Sequence, residues 1–234
     1  MPAAVLFDWT NTLSQFTWDD ALLAAGHRAG LGALGRAGEA DDYTERYRAD
    51  VLPAVTAPGA WSHLAYEVEL RRLLGPISDA ELDAFLDAEH DVWAAARTVA
   101  PGLELLIARL VGLGVRLGIV ANTWPDPARL LRREIAALGD IAKHFEAIVL
   151  SGEVGVRKPD SAIFALALEQ LGCEPFDVYF VGDRLVDDIG GAGAVGIVTV
   201  QATWFHTDHA DVAIEPDFVA ASTADVLDAV LSDR

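Results

Sequence analysis

One cysteine in 234 residues excludes an intrachain disulfide, and with it a small disulfide-stapled scaffold. Such sparing use of cysteine is the habit of a reducing compartment. Cys173 itself, in Leu171-Gly172-Cys173-Glu174-Pro175, has the setting of a small filler at a helix end rather than of a nucleophile. Basic residues are also scarce, 17 Lys and Arg against 36 Asp and Glu, a net charge of −19. A chain so acidic repels nucleic-acid phosphates and anionic lipid headgroups, so neither nucleic acid nor a membrane surface is expected as a partner. Long apolar runs are missing as well. Ala3 to Phe7 is stopped by Asp8, far short of a secretory h-region or a membrane span, and a cytoplasmic protein is expected. No internal repeat or low-complexity tract stands out. What remains is an ordinary globular composition, 52% hydrophobic and 23% charged, sufficient to bury a core without a metal or disulfide to hold it. At about 150 residues per domain the length fits one large domain or one domain carrying an insertion. The acidic surplus is steepest after Gln201, where Asp208, Asp211, Glu215, Asp217, Asp225, Asp228 and Asp233 face only Arg234, and reads as a solvated acidic face.

Five short apolar runs have the character of strands buried on both faces: Ala3 to Phe7, Val115 to Val120, Ala147 to Leu150, Val178 to Val181 and Ile197 to Val200. Helical stretches separate the later ones. Asp126 to Leu138 offers Asp126 as N-cap and Pro127 at the first helical position; Pro159 to Leu171 opens on proline too and ends at Gly172. Regular alternation of strand and helix predicts a doubly wound α/β core with a parallel sheet and right-handed crossovers. Residues 14–96 break the alternation with four amphipathic helical patterns, 18–34, 41–52, 60–74 and 78–95. The last opens on the capping-box pattern Ser78-Asp79-Ala80-Glu81. Pro53, Pro58-Gly59 and Gly75-Pro76 punctuate them. A block this long is a subdomain, not a loop. The expected organisation is an α/β core of residues 1–13 and 97–234 with an all-helical insertion of 14–96. No coiled-coil heptad appears, and a monomer or homodimer is expected.

In open α/β sheets ligands bind beyond the carboxyl ends of the strands. There the chain delivers Asp8-Trp9-Thr10-Asn11-Thr12-Leu13, then Ala121-Asn122-Thr123, then Ser151 through Arg157-Lys158-Pro159, then Gly182-Asp183-Arg184-Leu185-Val186-Asp187-Asp188. Clustered carboxylates repel unless a hard cation neutralises them, and Mg²⁺ takes few protein carboxylates together with phosphate oxygens and water. A lysine is a point charge that can hold both a carboxylate and a phosphoryl group. The set suits cation-assisted chemistry on an anion.

In the order and spacing of these segments the chain resembles the haloacid dehalogenase-like (HAD) hydrolase superfamily, along essentially its whole length. Asp8 matches the family's nucleophile, with Thr12 and Leu13 closing the first motif; Asn122 matches the second motif; Gly155-Val156-Arg157-Lys158-Pro159-Asp160 matches the third at Lys158; Gly182-Asp183 with Asp188 matches the fourth. The helical insertion is similar to the family's helical cap. The resemblance implies an aspartyl-phosphate on Asp8 and Mg²⁺ held by Asp8, the Thr10 carbonyl, Asp183 and Asp188. It also implies Lys158 balancing charge and Asn122 orienting substrate oxygens, with a small phosphorylated metabolite as substrate. Trp9, Asn11, Thr123 and Trp124 flank the implied site as substrate-contacting candidates, the two tryptophans narrowing it.

Two positions depart from the family pattern. Thr10 stands where the family has the Asp that protonates the leaving group and activates water, and loss of a positioned acid–base group costs typically about 10²–10⁴-fold in rate. Ala121 stands at the hydroxyl position of the second motif, where Thr123 or a water offers the replacement donor. Three functions follow: a slow Mg²⁺-dependent phosphatase or phosphotransferase, a metal-free 2-haloacid dehalogenase, and a catalytically silent HAD-fold binding protein. Asp183 and Asp188 argue against the second, and the full acid and lysine set against the third. Other residues take plainer readings. His206, Asp208, His209 and Asp211 read as a polar surface loop, and His27, His63 and His90 as exposed helix residues. Trp18 and Trp61 read as packing residues, and Arg157 and Arg184 as partners of a substrate anion or of Asp160 and Asp187.

Overall fold

The computed structural model describes residues 1–17, 19–56, 63–123, 127–210 and 212–232. Eight strands occur among them: β1 Ala4–Phe7, β2 Ser14–Phe16, β3 Arg97–Val99, β4 Arg116–Ala121, β5 Phe145–Leu150, β6 Val178–Gly182, β7 Val198–Ala202 and β8 Phe218–Ala220. Six form one sheet in the order β5-β4-β1-β6-β7-β8, every neighbouring pair parallel, while β2 and β3 pair with each other. This is a Rossmann-like α/β fold, as the alternation predicted. The unbroken apolar runs of β1 and β6 have a simple cause: both strands are buried along their whole length. Edge strand β5 alternates instead, with exposed Glu146 bonded to Arg116 at 3.0 Å.

Two compact units divide the chain: Met1–Gln15, Thr98–Thr123 and Arg132–Arg234 in one, Phe16–Arg97 and Trp124–Leu131 in the other. Within the α/β unit, helix Ser161–Leu171 buries Ile163, Phe164, Ala167, Leu168 and Leu171 against β4, β5 and β6. It starts two residues later than the proline suggested. Asp160 is the N-cap, its carboxylate accepting the Ala162 N–H at 2.9 Å. Gly172 ends the helix at φ 59°, where glycine carries no Cβ penalty. The expected N-cap Asp126 lies outside the described residues; the helix it belongs to spans Ala128–Ala136.

The helical unit contains Asp20–Ala33, Ala40–Arg46, Leu52–Thr56, His63–Leu74 and Asp79–Ala95. Ser78 makes the full capping box with Glu81. Pro53 does not interrupt the run: a π-turn at Tyr47–Val51 precedes it, and a proline in the first turn of the helix that follows forfeits little. Helix Asp20–Ala33 lies close against Asp79–Ala95 because position 26 is glycine; a Cβ there would sit 2.2 Å from Trp93 Nε1. Arg129 and Leu130, from beyond β4, belong to this unit, Arg129 bonding Asp83 and Asp87 and Leu130 joining its core. Two of the histidines expected on the surface are buried. His27 is boxed by Tyr43, Tyr47 and Trp93, 2.8 Å from Thr44 Oγ1 and 3.5 Å from Glu89, and burial, helped by Arg48, lowers its pKa to about 3. His90 is 3% exposed. Helical amphipathicity shows which face is apolar, not how deep a polar neighbour of that face sits. The side chain of His63, with Trp18 and Trp61, lies outside the described residues.

Candidate active site

Strand register brings the chemistry to one place. Central β1 puts Phe7 level with Ile119 of β4 and Val181 of β6, and Ala121 is level with Leu150 of β5. Residues following these four strands, Asp8, Asn122, Ser151 and Asp183, therefore emerge at one edge, where the strand order reverses.

Each loop is shaped for what it carries. Asp8 extends β1 by one bond, its N–H donating to Val181 O at 2.9 Å. The next turn is tight: the N–H groups of Thr12, Leu13 and Ser14 all converge on Trp9 O, and Asn11 takes a left-handed φ of 60° that asparagine tolerates. After β6 a π-turn, Leu185–Gly190, swings Asp188 back over the strand end. Only glycine fits beneath it, since a Cβ on Gly182 would lie 2.5 Å from Asp188 Cγ.

At the centre Lys158, one of only two lysines in the chain, donates 2.6 Å hydrogen bonds to Asp8 Oδ1 and Asp188 Oδ1, its ammonium 5.2 Å from the Phe180 ring centroid. Arg184 N–H donates to Asp188 Oδ2 at 2.9 Å. All of these side chains but Arg184 are buried, Lys158 at 2% exposure. Asp183 differs from its neighbours. Its Oδ2 has only a long 3.4 Å bond from Asn11 Nδ2, and its buried Oδ1 has no hydrogen-bond partner among the described residues.

Electrostatics follow from this geometry. Burial disfavours the Lys158 ammonium, but Asp188 and Asp8 outweigh it and raise its pKa. Burial pushes Asp8 up to about 6, with Lys158 pulling down and Asp188 pushing up. Asp183, beyond the reach of Lys158, is pushed up to about 8 by burial and then by Asp8 and Asp188. One oxygen from each carboxylate lies within 4.8 Å of the others. A partnerless buried carboxylate oxygen beside two more carboxylates is a donor set that fits a hard divalent cation.

A stability consequence follows. An acid whose pKa is raised by folding holds its proton in the native chain and releases it in the unfolded one. The contribution of Asp183 to stability is therefore full below about pH 4, the unfolded value, and is lost as pH climbs through the folded value near 8. In metal-free buffer the melting temperature should be several degrees higher at pH 6 than at pH 8. Asp183→Asn should remove most of that difference by raising the pH 8 value. Thermal unfolding followed by circular dichroism decides it, and a variant that melts lower at pH 8 would contradict the reading.

Other candidate residues take different places. Asn122 faces the main chain: its Oδ1 accepts Lys158 N–H at 2.9 Å and its Nδ2 donates to Lys158 O at 3.1 Å. That makes it a clamp on the lysine, where a substrate-orienting amide was expected. Thr123 and Ser151, both buried, are joined reciprocally, Thr123 N–H to Ser151 Oγ and Gly152 N–H to Thr123 Oγ1, each at 2.9 Å, so each hydroxyl keeps a proton to donate. Thr10 is exposed and bridges Ser14. Thr12 is fully buried, its hydroxyl without a hydrogen-bond partner among the described residues. Trp9 is 2% exposed and its indole N–H donates to Glu134 at 3.0 Å, so it packs inside the α/β unit. Trp124 lies outside the described residues. Arg157 is 3.8 Å from Asp187, one of the pairings expected of it. The supposed solvated face is partly structural: Asp208, Asp217 and Asp225 each accept main-chain N–H groups, at Leu185, Thr199 and Ala221. Ser151 stands among the strand-end residues in the sequence but no motif gives it a role; Glu134 and Asp208 carry no signal of theirs.

A buried lysine thus sits between strand-end carboxylates at the switch point of a parallel sheet. The haloacid dehalogenase-like hydrolase family model matches residues 2–196, and the chain belongs to that family. It is 31% identical over 208 residues to glyceraldehyde 3-phosphate phosphatase of Methanopyrus kandleri, covering 86% of this chain and 84% of that one. Among solved structures it resembles a HAD phosphatase from Thermococcus onnurineus, TM-score 0.69 at 21% identity over 99% of both chains. It also resembles a 2-haloacid dehalogenase from Pseudomonas syringae, TM-score 0.64 at 19% identity over 97% of both. At these identities the two structures share the fold alone with this chain.

Proposed function

We propose that this chain is a Mg²⁺-dependent phosphatase or phosphotransferase that acts through Asp8 on a small phosphorylated metabolite and hydrolyses its phosphoenzyme slowly. The observation that carries this reading is the partnerless Asp183 oxygen beside the Asp8–Lys158–Asp188 triad. A dehalogenase has no use for that buried acid. The phosphatase names of the chain's relatives support the reaction class, and the name of the Methanopyrus kandleri relative supports a small three-carbon-sized substrate. The helical insertion, residues 14–96, is proposed to serve as the substrate-selecting cap, and the protein to work in the cytoplasm. Among the described residues no helix is long and apolar enough to cross a membrane.

In this mechanism Lys158 holds Asp8 Oδ1, leaving Oδ2 to attack phosphorus. The bond from phosphorus to the leaving oxygen breaks as the Asp8 acyl phosphate forms. Lys158 and the hydroxyls of Thr123 and Ser151 would donate to the phosphoryl oxygens; Ala121 offers no donor side chain. A divalent cation held by Asp8, Asp183, Asp188 and the Thr10 carbonyl would neutralise phosphoryl charge. The leaving oxygen takes its proton from water, because the Thr10 hydroxyl is too weak an acid to replace a carboxylic acid there. Water later attacks phosphorus without a positioned base and frees phosphate and Asp8.

Thr10→Asp therefore restores the missing acid–base group and should raise steady-state turnover of p-nitrophenyl phosphate in Mg²⁺ by about 10²-fold or more. Stopped-assay phosphate release measures this. No gain, together with no Mg²⁺-induced rise in melting temperature at pH 8, would leave the silent binding protein as the better description.

A further inference from the structure

The two acid-bearing loops are gripped from outside by one segment that no motif contains. Residues 203–217 connect β7 to β8, and from them Trp204 Nε1 donates to Thr12 O at 3.0 Å, across 192 residues of sequence, in the loop that follows Asp8. Asp208, four residues on, reaches the other loop. Its Oδ2 accepts Leu185 N–H at 2.9 Å, at the first residue of the π-turn that carries Asp188, while its Oδ1 accepts Ala210 N–H at 2.9 Å and ties the carboxylate to its own segment. Further along, Ile214 packs against that turn so closely that a Cβ on Gly190 would lie 2.9 Å from Ile214 Cδ1.

These contacts have a common result. The first N–H groups of a helical turn lack internal partners, and a carboxylate placed there satisfies one and complements the local dipole. Asp208 does this in trans and so fixes where the turn begins, hence where Asp188 ends. Trp204 fixes the carbonyl at the far end of the Asp8 loop. Lys158 bonds both acids at 2.6 Å, and such geometry tolerates little drift between the loops.

We propose that Trp204 and Asp208 are positioning residues, a two-point brace that sets the Asp8 loop and the Asp183–Asp188 loop in register for phosphoryl transfer. The catalytic part of this inference rests on the function proposed above; the brace itself does not. A misplacement of about 1 Å in such a site can cost on the order of 10²-fold in rate.

Trp204→Phe removes the indole N–H and keeps a ring; Asp208→Ala removes both acceptors. The test measures kcat and KM for p-nitrophenyl phosphate, melting temperature, and amide hydrogen exchange in the metal-free protein. Each variant should melt within a few degrees of wild type and keep KM within about twofold, while kcat falls about tenfold or more. Exchange should quicken at residues 184–189 in Asp208→Ala and at 10–14 in Trp204→Phe, with β1 and β6 unchanged. Should Asp208→Ala not fold, Asp208→Asn, which keeps one acceptor oxygen, takes its place with the same expectations at reduced size. Unchanged exchange in both loops overturns the brace, as does a fall in kcat no larger than the loss of folded protein. Quickened exchange confined to these loops in a chain whose wild type turns over no phosphate ester would uphold the brace and sink the phosphatase reading instead.

Discussion

Asp8→Asn is expected to lower phosphate release by at least about 10⁴-fold, the scale on which removal of a covalent nucleophile is felt, and to leave the protein folded. The fold tolerates the change because charge stays balanced: Lys158 keeps its 2.6 Å bond to Asp188, and the asparagine oxygen can still accept at the position of Asp8 Oδ1. One fewer buried carboxylate also relieves Asp183, whose pKa Asp8 helps to raise. The melting temperature at pH 8 should therefore be equal to or above that of wild type. Activity within tenfold of wild type would show that another group attacks phosphorus. A collapse of stability would show that Asp8 holds the fold, and that loss of turnover says nothing about nucleophilicity.

Lys158→Met should damage both activity and stability. A buried charge left without its partner costs about 3–5 kcal/mol, and here one ammonium serves two carboxylates. Without it Asp8 and Asp188 face each other with no cation, the Asp8 pKa climbs further, and the fraction ionised at neutral pH falls. Turnover should drop by about 10²-fold or more, as when a preorganised charge is removed from a developing oxyanion. Lys158→Arg should not rescue it, because a planar fork cannot replace a point charge wedged against the Phe180 ring. Adding Asp188→Asn to Lys158→Met should recover much of the stability and none of the activity, a coupling that urea titration and initial rates measure separately. If the double variant is no more stable than Lys158→Met, the cost lies in lost packing rather than in stranded charge.

Much of this arrangement is legible in the chain before folding, and the reasons are physical. Strands buried on both faces must be apolar throughout, so β1, β4 and β6 announce themselves. The carboxyl ends of β1 and β6 then mark Asp8 and Asp183 by position, whereas Lys158, eight residues beyond β5, and Asp188 stand out only through the order and spacing of the segments. The three-residue strands β2, β3 and β8 are too short to carry a period, and β8 leaves Val219 62% exposed at the sheet edge. Side-chain direction is hidden too. Nothing in Ala121-Asn122-Thr123 tells that Asn122 turns to the Lys158 main chain, or in Asp8-Trp9 that the indole is buried toward Glu134. Asp208 shows the same limit from the other side. A run of acids looks solvated until the main-chain N–H groups it caps are placed beside it.

Intact-protein mass spectrometry after brief mixing with acetyl phosphate and Mg²⁺ tests the central claim most directly. With Asp8 as nucleophile and Thr10 unable to activate water, a species one phosphoryl group heavier should accumulate in wild type. It should be absent in Asp8→Asn and decay faster in Thr10→Asp. An unmodified mass in wild type, under conditions where Mg²⁺ raises its melting temperature, would contradict phosphoryl transfer through Asp8.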